Sequence, residues 1–231
     1  MTPQCTTATY YNTKEPLISQ LGANNVSVVN SKQKNKKLVK DKGKNIKCVI
    51  VGDRCVGKTA LAVSYSNDTF PRKYIPTVYD KYNVEVQVNG EPIKVEICDT
   101  AGEDARFPLT KLCYPDTDVF LLCFSVVQPE SFYSACTRWH DELTRLGTAV
   151  VLVGTQADQA QDFEVLQHLQ RHRQRPVMTV EAQILAEKLN APYVETSAKT
   201  CAQLKEAFDL AITLAMSKQK KRKFWRRLCC V

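Results

Sequence analysis

Short apolar runs alternate with amphipathic stretches through most of this chain. IKCVIV begins at Ile46, and DVFLLCFSVV and AVVLVGT follow further on. Apolar runs of this length are typical of strands that are buried on both faces of a parallel sheet. The stretches near 58–66, 130–146, 162–171 and 180–189 are predicted helices. CAQLKEAFDLAITLAM, with apolar residues three and four positions apart, is a predicted closing helix.

Two further segments complete the predicted sheet. YNVEVQVNGEPIKVEIC alternates apolar and polar residues on both sides of an Asn-Gly pair, which predicts a β-hairpin. APYVETSA is a predicted short strand. The sequence therefore predicts an α/β fold: a six-stranded, mostly parallel sheet with helices on both faces.

The two ends of the chain differ from its centre. Residues 1–47 carry nine Lys/Arg and two acidic residues, residues 217–231 carry seven Lys/Arg and no acid, and residues 48–216 carry sixteen basic and 22 acidic residues. Residues 1–45 have no sustained period, so we predict a flexible basic arm there. We predict one folded domain over 46–216 and a tail over 217–231. Basic ends on a mildly acidic body do not favour a nucleic-acid groove.

Length and cysteine usage limit the class of protein further. The chain has 231 residues and no run of eighteen apolar residues, and its N-terminus lacks the apolar core of a signal peptide, so we expect a cytosolic location. Cys48, Cys98 and Cys123 lie inside apolar runs. We expect them to be buried, reduced thiols rather than disulfides, and the cysteine spacing does not favour zinc.

A glycine loop stands between the first buried strand and the first helix. It fits G-x-x-x-x-G-K-[ST], in which backbone N–H groups surround a β-phosphate, the lysine reaches the β- and γ-oxygens, and the hydroxyl ligates Mg²⁺. Its residues are Gly52, Asp53, Arg54, Cys55, Val56, Gly57, Lys58 and Thr59, and Ala60 continues into the helix. The segment therefore predicts a nucleotide-binding P-loop.

Four more segments resemble the motifs of small GTPases, in the same order along the chain. Asp99-Thr100-Ala101-Gly102 looks like the family's DTAG, and residues 70–80 resemble a Rho-type switch I. Thr155-Gln156-Ala157-Asp158 and Thr196-Ser197-Ala198-Lys199 resemble the two base-reading loops. The resemblance covers about 46–216, and it implies a P-loop G domain.

Among small GTPases, the chain most resembles the Rho family. The extra stretch 159–175 fits the insert helix of Rho members. Gln156, the Phe-Trp-Arg-Arg near the terminus and the paired terminal cysteines look most like the atypical Wrch/Chp branch.

The resemblance implies GTP/GDP and Mg²⁺ as ligands. Thr59, Thr77 and Asp99 would hold the metal, and the Gly102 N–H would meet the γ-phosphate. Tyr74 would cover the phosphates, and Phe70 would pack on the base. Further base contacts would come from Thr155, Gln156, Ser197, Ala198 and Lys199.

Asp158 carries the expected choice of base. Its carboxylate can accept from N1 and the N2 amino group of guanine, and the Ala198 N–H can donate to O6. A site built for those hydrogen bonds rejects adenine, which leaves them unpaired.

The resemblance also implies partners. The ordered switch would recruit effector kinases and scaffolds that control actin, adhesion and cell shape, and exchange factors and GAPs would act on the same domain. We expect a monomer. The expected effector residues are Tyr74, Ile75, Pro76, Thr77, Val78, Tyr79 and Asp80.

Three departures from the family pattern affect the predicted mechanism. Arg54 stands where the family has a glycine beside the γ-phosphate, and its bulk would crowd the attacking water and a GAP's arginine finger. Glu103 replaces the glutamine that orients the water, and it adds negative charge beside developing negative charge. Gln156 replaces a lysine. We count Glu103, Thr77, Lys58 and Arg54 as the catalytic positions.

We predict from these departures slow hydrolysis, a weak GAP response and a largely GTP-bound state. One alternative is that Arg54 acts as an arginine finger in cis and raises the basal rate. Another is a constitutively GTP-loaded interaction module, controlled by expression and palmitoylation. Gln156 implies faster nucleotide exchange, unless it simply stacks on guanine.

The tail SKQKKRKFWRRLCCV combines cations, aromatics and two cysteines. Leu228 occupies the fourth position from the end, so the CaaX rule fails, and we favour palmitoylation of Cys229, Cys230 or both. The alternatives are double geranylgeranylation, a nuclear-localisation run or a disordered tail. An acyl chain with a polybasic patch anchors stably to an anionic membrane. We therefore expect the cytoplasmic face of the plasma membrane or of endomembranes, with a cytosolic pool.

Overall fold

The structure is a computed structural model, and it describes residues 5–10, 44–71, 73, 77, 79–102 and 108–228. The strands are β1 (Cys5–Tyr10), β2 (Lys44–Val51), β3 (Tyr79–Val88), β4 (Glu91–Thr100), β5 (Val119–Ser125), β6 (Ala149–Thr155) and β7 (Tyr193–Glu195). The α-helices are α1 (Lys58–Asn67), α2 (Pro129–Ser134), α3 (His140–Leu146), α4 (Phe163–Arg171), α5 (Thr179–Leu189) and α6 (Leu204–Leu228). Two 3₁₀ segments (Pro108–Cys113 and Ala157–Gln159) and a π-helical turn (Ala135–Trp139) complete the described elements.

The strands of the described residues form one sheet in the order β1-β3-β4-β2-β5-β6-β7. β2 pairs in parallel with β4 and β5, β5 with β6, and β6 with β7, while β3 is antiparallel to β4. The six strands β2–β7, with helices on both faces, confirm the predicted six-stranded, mostly parallel sheet. The β3–β4 hairpin turns at Asn89 and Gly90, whose φ angles of 53° and 78° suit the predicted Asn-Gly turn.

β1 differs from the flexible arm predicted for residues 1–45. Cys5–Tyr10 pairs antiparallel with β3, and Tyr10 is opposite Val84. The segment CTTATY lacks an apolar run, but threonine and tyrosine favour extended backbone. The outer edge of β3 supplies unpaired N–H and C=O groups for such a strand. The closing helix is longer than predicted, because α6 continues through Leu228 and the predicted helix ended at 216.

Each face of the sheet has its own hydrophobic core. Along β2, the side chains of Cys48 and Ile50 join the cluster under α1 and α6, while those of Val49 and Val51 join the cluster under α2, α3 and α5. This explains why the strand is apolar without alternation. Burial raises the pKa of the Cys98 thiol to about 11 and that of Cys123 to about 12, so these thiols behave as small hydrophobes.

Parallel pairing places the ends of β2, β4, β5, β6 and β7 at one edge of the sheet. The glycine loop follows Val51, the DTAG segment includes the end of β4, and the two predicted base-reading loops follow β6 and β7. Ligands of such sheets bind beyond the carboxyl ends of the strands. The fold therefore brings the predicted motifs together.

We expect the Phe208→Ala substitution to lower the free energy of unfolding by about 3–5 kcal/mol, because it removes a fully buried ring and leaves a cavity. Phe208 stacks on Tyr65 with ring centroids 3.8 Å apart and joins α6 to α1. Chemical denaturation in saturating GDP measures the change. Phe163→Ala is the matched control, since that ring is 76% exposed, and we expect a change below about 0.5 kcal/mol. Equal losses in the two variants would contradict this description of the core.

Candidate nucleotide-binding site

The loop between β2 and α1 has a backbone that few residues other than glycine can adopt. Gly52 has φ +138°, and a Cβ there would lie 2.1 Å from the Cys123 carbonyl oxygen of β5. Gly57, at φ +87°, immediately precedes α1, whose first turn has no side-chain cap. Left-handed residues leading into an uncapped helix N-terminus form a concave nest of N–H groups that suits an anion.

Lys58 lies beneath this loop with only 5% of its surface exposed. Its ammonium group donates to the Gly52 carbonyl at 2.9 Å and to the Asp53 carbonyl at 2.7 Å. Burial lowers the pKa of Lys58, and the negative charge of Asp99 opposes that shift. An ammonium group has three donors. Two hold the loop, and the third remains for a phosphate oxygen.

The predicted metal residues meet next to Lys58. The hydroxyl oxygens of Thr59 and Thr77 are 2.7 Å apart. Asp99 is fully buried, and neither of its carboxylate oxygens has a hydrogen-bond partner among the described residues. Burial raises the pKa of Asp99 to about 6, although the Thr59 hydroxyl and the Lys58 ammonium lower it. Two hydroxyls and an unsatisfied buried carboxylate are hard oxygen donors, so the residues fit Mg²⁺.

The base pocket opens between α1 and the loops after β6 and β7. Ser197 donates to the Asp158 carboxylate at 2.7 Å and so fixes its orientation. The Thr155 hydroxyl lies 2.9 Å from the Phe124 carbonyl and also contacts that of Val56, which joins β6 to the glycine loop. The lining residues are Gly57, Ala60, Leu61, Phe70, Thr155, Gln156, Asp158, Gln159, Thr196, Ala198 and Lys199.

Most of the predicted base contacts lie on this lining, including Phe70, Asp158 and Lys199. Val56 instead points its side chain into the core and contributes its carbonyl. Sequence reasoning missed Leu61 and Gln159, although they adjoin predicted positions.

Gln156 has a structural role that the sequence did not indicate. The Ser125 hydroxyl at the end of β5 donates to its Oε1, and its Nε2 donates to the Cys55 carbonyl at 3.4 Å. The side-chain amide thus links β5 to the glycine loop, because it offers both an acceptor and a donor. A lysine has no acceptor for the Ser125 hydroxyl.

Arg54 lies where the glycine loop meets the DTAG segment. A Cβ at Gly102 would be 2.4 Å from both Cα and N of Arg54, so the two backbones pack directly together. Arg54 is exposed at this junction. Any side chain at position 102 would force the loop and the DTAG segment apart.

Some predicted site residues lie outside the described residues: Tyr74, Ile75, Pro76, Val78 and Glu103. Of the predicted effector segment, the structure describes Thr77, Tyr79 and Asp80. Tyr79 and Asp80 begin β3, and the Tyr79 hydroxyl donates to the Cys98 sulfur at 3.5 Å.

A phosphate-binding loop, oxygen donors for a metal and a base pocket with an oriented carboxylate lie together at one edge of a parallel sheet. This combination defines a P-loop nucleotide-binding protein. The family model described as the Ras family matches residues 47–217. Rho-related GTP-binding protein RhoV from Bos taurus, Mus musculus and Homo sapiens is 50% identical over 175 residues, which are 74% of this chain and 74% of each relative.

The chain therefore belongs to the Ras family, and within it to the Rho-related small GTPases. The comparison confirms the resemblance to the Wrch/Chp branch. Proteins of this family bind GTP and GDP, generally with Mg²⁺, and hydrolyse GTP.

We expect the Asp99→Asn substitution to change stability in opposite directions with and without metal. The folded-state pKa of about 6 exceeds the ordinary aspartate value of 3.8, so the ionised carboxylate destabilises the folded protein at pH 7. That cost shrinks as the pH falls below about 6 and is gone only below about 3.8. In EDTA, asparagine should raise the free energy of unfolding by about 2–3 kcal/mol. It should also remove the extra stability that Mg²⁺ gives the wild type.

Chemical denaturation of the GDP complex at pH 7, in EDTA and in Mg²⁺, measures both effects. Asp68→Asn is the control, because Asp68 is exposed and its change should be small in either buffer. An Asp99→Asn protein that is less stable in EDTA and still responds fully to Mg²⁺ would contradict the metal assignment.

Proposed function

We propose that this protein is a Rho-type switch that hydrolyses GTP slowly, is largely GTP-bound and recruits effectors at membranes. By its family, those effectors control actin, adhesion and cell shape. The observation that carries the proposal is the position of Arg54 on the glycine loop, with its backbone packed against Gly102. The rest of the binding site keeps the residue types that nucleotide and metal need.

The length of the Arg54 side chain and its position beside Gly102 both support slow hydrolysis. In this family the Gly102 N–H meets the γ-phosphate, so a residue packed on Gly102 borders the path of the attacking water. A long side chain there restricts both the water and an arginine finger supplied by a GAP. Such a finger accelerates hydrolysis by roughly 10³–10⁵. Restricted access would therefore dominate the lifetime of the GTP-bound state.

Glu103 supports the same conclusion from its chemistry alone. A carboxylate accepts a hydrogen bond from water, but it cannot donate one to the phosphoryl group, as a glutamine can. Its negative charge also disfavours a transition state in which negative charge develops nearby. The two substitutions act on the same step, and the metal residues and the base-reading Asp158 keep the family's residue types.

We expect Arg54→Gly to raise the single-turnover rate of GTP hydrolysis and to restore a response to a Rho GAP of at least about 100-fold. Removal of the side chain opens the space beside Gly102. Release of phosphate from preloaded, Mg²⁺-bound protein measures the rate, with and without the GAP.

Arg173→Gly is the matched control, since Arg173 is exposed and has φ 56°, a conformation that glycine adopts easily. Its rates should equal those of the wild type. A slower Arg54→Gly protein would instead support the arginine finger in cis and overturn our account of Arg54.

A constitutively GTP-loaded module, controlled by expression and palmitoylation, is the second candidate. Arg54 and Glu103 both favour it, because they impair the same catalytic step. The nucleotide released from freshly purified protein separates the two candidates. Mostly GTP with no measurable turnover favours the module, and a mixture of GDP and GTP favours a slow switch.

The tail supports a location at membranes. Lys218 donates to the Gly147 carbonyl at 2.8 Å, and Gln219 donates to the Asn45 carbonyl at 3.2 Å and to Asp118 at 3.0 Å. These acceptors lie at the starts of β6, β2 and β5, at the edge of the sheet opposite the nucleotide site. A membrane bound through the tail would leave the switch loops accessible.

α6 continues through the polybasic stretch to Leu228, directly before Cys229 and Cys230. Those two cysteines lie outside the described residues. No helix in the described part of the chain is long and apolar enough to cross a bilayer. Two acyl chains, or one chain with the adjacent cations, would give stable peripheral anchoring.

We expect the Cys229→Ser/Cys230→Ser double variant to lose hydroxylamine-sensitive palmitate labelling and to move from the membrane fraction to the soluble fraction of cells. Cys201→Ser is the control, because Cys201 is an exposed thiol of the G domain. Hydroxylamine-resistant incorporation of a geranylgeranyl label, with no palmitate label, would instead indicate geranylgeranylation. Unchanged membrane fractionation of the double variant would contradict lipid anchoring at these cysteines.

A further inference from the structure

We propose that Trp139 is a positioning residue of the nucleotide site, which holds the glycine loop in its binding conformation through Asp53. The indole Nε1–H of Trp139 donates to Asp53 Oδ1 at 2.8 Å. The two residues are 86 positions apart in the chain. This inference rests on the proposed nucleotide binding and adds a residue from outside the loops that form the site.

Trp139 is held in place by the hydrophobic core. Its side chain is fully buried in the core cluster that includes Phe120 and Leu143. The Arg138 guanidinium carbon lies 4.6 Å from the centroid of its ring. A buried indole N–H needs an acceptor, and here that acceptor is a carboxylate, which makes a stronger hydrogen bond than a neutral oxygen.

The backbone around Trp139 is irregular at this point. Ala135–Trp139 forms a π-helical turn between α2 and α3, and Trp139 is its last residue. A π turn changes the direction of the side chains that follow it relative to a continuous α-helix. Such turns occur often at functional sites. In this chain the turn ends at the side chain that reaches the glycine loop.

Asp53 transmits the constraint to the phosphate-binding groups. Its carbonyl accepts from the Lys58 ammonium at 2.7 Å. Its carbonyl carbon, and N and Cα of Arg54, are the atoms nearest to a Cβ placed on Gly102. The hydrogen bond from Trp139 therefore fixes the residue that orients Lys58 and that leads into the contact with Gly102.

Trp139 does not line the base pocket. We therefore expect Trp139 to affect binding of the phosphates rather than binding of the guanine ring. GMP lacks the β-phosphate that such a loop surrounds, so a ratio of GDP to GMP affinity separates loop positioning from a general loss of structure.

We expect the Trp139→Phe substitution to speed GDP dissociation and to weaken GDP binding about tenfold, as loss of one hydrogen bond to a charged group implies. GMP affinity should stay within about twofold of the wild type, because the base pocket is intact. Release of a fluorescent GDP analogue gives the rate, and competition against that analogue gives both affinities. Trp225→Phe is the matched control, since it makes the same substitution in α6.

Equal losses of GDP and GMP affinity would overturn the proposal, as they would indicate general destabilisation. No loss of either would overturn it as well. If the wild type binds no GDP, the proposed nucleotide binding fails instead. If the wild type binds GDP tightly and Trp139→Phe changes nothing, the positioning role of Trp139 is refuted but the proposed nucleotide binding is not.

A double-mutant cycle with Asp53→Ala tests the contact itself. Once Asp53 has lost its carboxylate, Trp139→Phe should weaken GDP binding by less than about twofold more. If the double variant loses GDP affinity by the product of the two single losses, the two residues are not coupled and the contact is contradicted. If Trp139→Phe does not fold, Asp53→Asn takes its place. Asparagine keeps an acceptor for the indole N–H. The ratio of GDP to GMP affinity should therefore fall in Asp53→Ala and stay close to the wild-type ratio in Asp53→Asn. An equal loss in both Asp53 variants would overturn the proposal.

Discussion

Nucleotide binding depends on two buried charged side chains, Lys58 and Asp99, which lie side by side at the edge of the sheet. The Lys58 ammonium is almost completely buried and donates only to backbone carbonyls, and the Asp99 carboxylate beside it has no hydrogen-bond partner among the described residues. Burial disfavours both charged forms. A metal-bound phosphate chain would supply an anion to the first charge and a cation to the second. Bound nucleotide with its metal would therefore offset the cost of burying both charges.

The glycine loop keeps these charges in place through contacts from several elements. Gly52 packs against β5, the Thr155 hydroxyl reaches from β6, Gln156 links the loop to Ser125, and Trp139 reaches it from beyond α2. The departures from the Rho pattern that concern hydrolysis, Arg54 and Glu103, belong to the segments that carry the γ-phosphate side of the site. The base pocket, by contrast, keeps its oriented carboxylate. This separation agrees with our proposal of slow hydrolysis at a site that binds guanine nucleotide.

The motifs could be predicted because each depends on local sequence. Glycines at positions 52 and 57, the lysine after the second one and a buried strand before the first are sufficient to predict a P-loop. Asp158 and the segment after β7 were predicted in the same way, and the fold brings them together because parallel strands end at one edge.

Other features depend on contacts between distant residues. CTTATY has no apolar run, and only the open edge of β3 makes it a strand. The Asp53–Trp139 hydrogen bond spans 86 positions, and no local signal in either segment indicates it. The bridge from Ser125 to Gln156 requires the register of β5 and β6. The helical tail follows from the continuation of α6, where helix-favouring lysines and arginines extend an already anchored helix.

The central claim is that a guanosine nucleotide with magnesium occupies the loop above Lys58, and that Asp158 selects its base. Isothermal titration calorimetry of nucleotide-free protein in Mg²⁺, with GDP and with ADP, tests it most directly. The account predicts tight uptake of one GDP per chain and an affinity for ADP that is lower by at least about 10⁴-fold, as unpaired buried polar groups require. No heat with GDP, or equal affinity for the two nucleotides, would contradict it.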